Sequence, residues 1–254
     1  MNGPRPGTAT TFAPDLGVIR LSRAQLAHLV ALPGGGTPRE DRQATAPATA
    51  EAAGRRAPER ELNDLGALGP DGPHAALAPT LAVLRRARSR FFLRRWNRDG
   101  RRLVEVVVGP GGIVVLPDGT DPDEPQDLRH HPRPSALARV MAGLLGLGPT
   151  TGQPVVPGGP LGWDQVKALA SDPPPWGTAG LGPDDEVTVH DLVWQPRIDG
   201  PRGSVLVLVG LGAGGTVEVE AIDRSDPARG YRLVARRPEE IWVGLCRLTA
   251  SVGR

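Results

Sequence analysis

One cysteine, Cys246, stands in 254 residues, which excludes an internal disulfide framework and a zinc centre built from several thiolates. Lysine is almost missing too: Lys167 is the single lysine among 30 basic residues. With the plentiful Ala, Gly and Pro, that arginine excess reads as a high-GC coding bias rather than as selection for phosphate contacts. The formal net charge is only +2, and the high isoelectric point partly reflects arginine, which barely deprotonates. Global charge therefore does not argue for nucleic acid. No apolar run approaches the roughly 18 residues of a membrane span; the longest, residues 205–211, has strand length. Residues 1–14 contain no apolar core of signal-peptide type, so the expectation is a cytoplasmic protein with no membrane segment.

What the chain has in quantity is β-pattern, and it has it twice. Residues 75–147 and again 161–252 read as a helix, about four alternating runs, and a Pro-led amphipathic helix. The first set of strands is expected over 90–97, 102–108, 112–117 and a weaker 127–131. The second is expected over 186–194, 204–210, 216–222 and 231–235. The closing helices begin at Pro134 and Pro238. Trp96 and Trp194 fall at matching places, which suggests a shared packing role. Two copies indicate one pseudo-symmetric body rather than a solenoid, which needs three or more repeats. The expected fold is α+β: a quasi-two-fold duplicated unit of antiparallel β-sheet with flanking helices.

Around that body the chain divides by composition. Residues 1–15 form a polar, Pro-rich lead expected to be disordered, and 16–32 hold an N-terminal helix. Its start is marked by Ser22 and Gln25 as a capping box, with Leu21 stapled to Leu26. Residues 33–58 carry no large apolar side chain and cannot offset an ordering cost of roughly 1–2 kcal/mol per residue, so they read as a disordered insertion. The halves are expected at 59–149 and 160–254.

No catalytic signature emerges. Gly210 to Gly215 match G-x-G-x-x-G, but the alternating run Thr216–Glu220 follows where a nucleotide site needs a helix N-terminus, so a hairpin loop is expected. His130 and His131 are adjacent on a strand and point to opposite faces, which disfavours chelation. His190–Asp191 have no G-x-S-x-G serine to complete a triad, and Ser204 opens a strand instead. Cys246, beside Leu245 in the last helix, reads as a buried, inert thiol. No catalytic, metal or cofactor residue is assigned.

Two features suggest partner binding. Residues 85–102 hold nine arginines, among them Arg94, Arg95 and Arg98, interleaved with Phe91, Phe92 and Trp96 and opposed locally only by Asp99. That pattern suits phosphate contacts with base stacking, an acidic protein partner, or a solvated strand face. Trp163 and Trp176 lie in Gly/Pro-rich surroundings and are candidates for exposed protein-binding aromatics.

The capped start at residues 21–26, the segment 65–72 leading into the Leu77–Leu84 helix, the run 100–108, Pro134–Ala138 and the second β-plus-helix unit together resemble the EspG family of actinobacterial proteins associated with ESX (type VII) secretion. That resemblance implies a quasi-two-fold α+β fold and a cytosolic chaperone without enzymatic activity. It further implies a helical secreted partner, PE/PPE-like or another ESX client. It assigns no individual contact residues. The alternatives are a nucleic-acid-binding protein using residues 85–102, and an enzyme whose site is not visible in sequence.

Overall fold

Ser22 opens the first helix through a reciprocal pair of hydrogen bonds. The computed structural model describes residues 10–14, 18–32, 51–97, 100–117, 124–148, 156, 159–168, 187–211, 215–223 and 225–252. In it the Gln25 amide donates to Ser22 Oγ at 3.1 Å and the Ser22 amide donates to Gln25 Oε1 at 2.9 Å. This is the expected capping box, with Leu21 and Leu26 buried on either side. The helix is α1 (Arg23–Ala31), and a hairpin of β1 (Thr11–Ala13) and β2 (Val18–Leu21) precedes it. Part of the 1–15 lead, expected to be disordered, is therefore a strand. Phe12 anchors it against the helical layer and meets the His74 ring edge-on at 5.1 Å.

The 33–58 insertion also needs correction. Residues 33–50 lie outside the described residues, but 51–58 begin α2 (Glu51–Asp64). Ala, Glu and Arg are good helix formers, and the fully buried Leu62 anchors the far end of the helix. Gln25 Nε2 adds a bond to Glu61 Oε2 at 2.9 Å, tying α2 to α1. A small hairpin of β3 (Leu68–Gly69) and β4 (Gly72–Pro73) follows, then a single 3₁₀ turn, then α3 (Ala78–Arg85). Arg85 donates to the carbonyls of Leu29, Val30 and Leu32 at 2.7, 3.1 and 2.9 Å. It thereby satisfies acceptors that the end of α1 leaves open.

The main sheet is built from β5 (Ser89–Asn97), β6 (Gly100–Gly109) and β7 (Gly112–Leu116), with further strands after a short interruption. The weak strand expected over 127–131 is split. β8 (Gln126–Asp127) leaves to pair with β2, and β9 (Arg129–His131) pairs with β7. A 3₁₀ turn at Pro134 leads into α4 (Leu137–Leu144), and α5 (Trp163–Ala168) opens the second half. Then come β10 (Thr188–Gln195), β11 (Gly203–Gly210), β12 (Thr216–Ala221), β13 (Tyr231–Arg236) and α6 (Pro238–Val252).

The eight strands run β13-β12-β11-β10-β5-β6-β7-β9, all antiparallel. That order reads alike from either end, with β5 and β10 paired at the centre and Leu93 opposite Leu192. An axis normal to the sheet through that pair exchanges the halves. α4 and α6 pack together on one face over Phe91, Leu93, Ile113 and Leu192. On the other face, α1, α2 and α3 cover Val107 and Val114 of the first half, and α5 covers Val189, Val209 and Val217 of the second.

The tryptophans do not match across this axis. A two-fold normal to the sheet keeps every side chain on its own face. Trp194 shares the face of Leu93 and stacks on Phe91, with centroids 6.0 Å apart at 8°. Trp96 lies on the opposite face. Their positions differ by one residue in register, and with a period of two that shift changes the face.

Candidate partner-binding trough

Between the two helical covers on the Trp96 face, the middle of the sheet is polar. β5 presents Arg90, Phe92 and Arg94 there, β6 presents Glu105, and β10 presents Asp191, Val193 and Gln195. Alternation along β5 explains the set, because Phe91 and Leu93 are spent on the opposite core. Phe91 and Phe92 are neighbours and point to different faces, so the aromatics of this stretch do not act together.

Each buried carboxylate in this strip is held by guanidinium groups, as burial of a charge requires. Glu105 takes Arg90 Nη1 at 3.3 Å and has Arg23 Nη2 at 4.0 Å. Asp191 takes Arg94 Nη1 at 3.3 Å and the Ser204 hydroxyl at 2.7 Å. Arg202 lies over the Phe92 ring, its Cζ 4.2 Å from the centroid, and donates Nε–H to Gln195 Oε1 at 3.3 Å. Gln195 in turn donates to the carbonyls of Ile198 and Gly200, fixing the turn that carries Arg202. The arginine side chains are about a third exposed while the carboxylates are buried, so the strip opens to solvent through its guanidinium groups. Both carboxylates are paired with guanidinium groups.

The strand therefore breaks up the basic stretch 85–102. Arg85 caps α1, Arg90 and Arg94 are ion-paired, and Arg101 sits 6.0 Å from the Trp96 centroid. Arg95 and Arg102 face each other on the opposite side of the sheet. Asp99, the one local acid in sequence, lies outside the described residues; among those, Glu105 and Asp191 oppose Arg90 and Arg94. Arg98 and Trp176 lie outside the described residues. Trp163, at the first position of α5, is half-buried rather than loop-exposed. It meets Trp96 edge-on at 6.1 Å and 87°, and Tyr231 at 5.5 Å and 48°.

Arg23, Glu105, Asp191, Gln195 and Arg202 were missed as site residues. A signal was present for the two acids: each interrupts a valine-rich alternating run, where a charge has to find a partner. The partners themselves are remote in sequence.

The other motifs resolve structurally. β11 and β12 pair directly, so the glycine run from Gly210 joins a hairpin, as expected. His130 Nε2 lies 3.1 Å from the Gly111 carbonyl. The neighbouring His131 has its pKa lowered by burial and by His130 and Arg129. Among the described residues no cluster of three or more His, Cys, Asp or Glu is placed to hold a metal.

His190 is buried on the α4/α6 face, across from Arg95. Burial, with the Arg95 charge as a second cause, pushes its pKa down to about 3. The unfolded chain takes up a proton near pH 6.5 and the folded chain does not, so stability is full above that pH and falls as pH drops toward 3. From pH 7 to pH 5 the expected loss from this group is about 2 kcal/mol. Urea midpoints should show that slope in the native chain and lose it in His190→Gln; identical slopes would mean His190 titrates normally.

No protein-family model and no curated protein matches this sequence. Among solved structures, the chain is similar to the Mycobacterium tuberculosis type VII secretion system chaperone EspG5, solved in complex with a PE25-PPE41 dimer. The identity is 12% and the TM-score 0.44, over 74% of this chain and 82% of that one.

Proposed function

We propose that this is a non-enzymatic binding protein of chaperone type, which holds a helical type VII (ESX) secretion substrate, PE/PPE-like or a related client, in the cytoplasm. The observation that supports this reading is the trough itself. Its floor is β6, β5 and β10, two strand spacings and so about 10 Å across. An α-helix with its side chains measures about 10–12 Å. The walls are helical layers, so one partner helix laid along the strands matches the space between them. In this reading Arg94 belongs to the floor and Trp163 to a wall, while Arg95, on the other face, takes no part. The nucleic-acid alternative is less supported, because the described arginines of residues 85–102 are divided between two faces and a helix cap.

Site-specific photocrosslinking in native cells tests the proposal. A photoreactive side chain at Val205, exposed next to Ser204, should capture a helical secreted protein. The same probe at Trp242, exposed on α6, should not. Co-expression should also keep that partner soluble as a stoichiometric complex. Capture from Trp242 alone, or of nucleic acid from Val205, would overturn the reading.

A further inference from the structure

Resting on that reading, we infer that the trough selects a partner helix with acidic side chains on its docking face, one carboxylate seating between Arg23, Arg90 and Arg202. Four guanidinium groups, Arg23, Arg90, Arg94 and Arg202, face two carboxylates, Glu105 and Asp191, in the described trough. Asp191 and Arg94 balance each other, so the surplus lies at the Glu105 end. There the donors are not used up. Arg90 meets Glu105 through Nη1 and Arg202 gives only its Nε to Gln195, while about a third of the Arg90 side chain stays open to solvent and Arg202 is exposed.

A carboxylate is the acceptor whose shape matches an open guanidinium edge, and a charge-assisted pair there is stronger than a neutral hydrogen bond. Arg202 is also held in advance: stacking on Phe92 and the bond to Gln195 fix its plane, so little side-chain freedom is lost on binding. Phosphate chains fit less well, because Glu105 and Asp191 stand in the floor and repel a continuous row of anions. Discrete acids on a helix face avoid both.

Selection from a displayed library of helical peptides with one randomised face, carried out on the full chain, tests this. Selected faces should be enriched in Asp and Glu and should crosslink to a photoreactive group at residue 205. Their affinity should fall at least tenfold in Arg202→Gln and further in Arg90→Gln/Arg202→Gln. Arg202 is exposed, so its variant should keep the native circular dichroism and thermal midpoint. Neutral or basic helices that crosslink at 205 would leave the partner-binding reading intact and overturn the acidic assignment. Helices that never crosslink there would overturn both. A single-stranded oligonucleotide that displaces them, and itself binds less well to Arg202→Gln, would overturn both in favour of nucleic acid.

Discussion

Replacing Phe91 by alanine is expected to lower stability by about 3–5 kcal/mol, the usual cost of emptying a large buried aromatic site. Phe91 is fully buried on the central strand and stacks on Trp194 of the other half. Its cluster also includes Leu137 and Met141 from α4 and Ile241 and Leu245 from α6. The surroundings are strand backbone and two helices packed against each other, which have little freedom to collapse into the space. Urea unfolding should show a lower midpoint with an unchanged slope. Because that cluster belongs to both halves, we propose that residues 59–149 and 160–254 unfold together, in one transition. Two separated transitions in the native chain would mean the halves are independent domains.

Gly112→Ala is expected to cost about 3 kcal/mol or more, combining backbone strain with a broken edge of the sheet. Gly112 has φ +126°, and a Cβ there would sit 2.1 Å from the His131 carbonyl oxygen. That oxygen is backbone of β9, so relief requires moving the strand off β7 and disturbing the entry to α4. Gly100 provides the comparison. Its φ is +116°, but nothing lies within 4 Å of an added Cβ, so Gly100→Ala should show the strain without the clash. Thermal midpoints of the two variants, with amide exchange at His131, separate the terms. Equal losses, with His131 still protected, would mean the β7–β9 contact yields at no cost.

Period-two alternation located most strands of the main sheet to within a residue or two, because each run carries its own apolar face and is bounded by its own turn. The capping box at Ser22 and Gln25 was legible for the same reason, since both of its bonds close within three residues. The helix over 51–58 was missed because composition counted what that segment could bury and overlooked the anchor at Leu62, outside it. The split of 127–131 was not legible either, as two residues find their partner in β2, more than a hundred positions earlier.

The candidate site shows the same division more sharply. Arg90, Arg94 and Phe92 stood out in the sequence as a basic and aromatic stretch. Which of them share a face depends on the register of β5, and what neutralises them depends on β6 and β10. Asp191 lies nearly a hundred residues from Arg94, and 4.0 Å separates Arg23 from Glu105 only because α1 packs on α3, which packs on β6. Local chemistry in the sequence thus determined the strands, their turns, the capped helix and the twofold repetition of the pattern. Only tertiary pairing decided that Trp96 and Trp194 part to opposite faces, that the basic stretch divides, and that Arg202 and Gln195 join it. The reason is that side-chain alternation sets two faces for any strand, while contacts remote in sequence decide what each face meets.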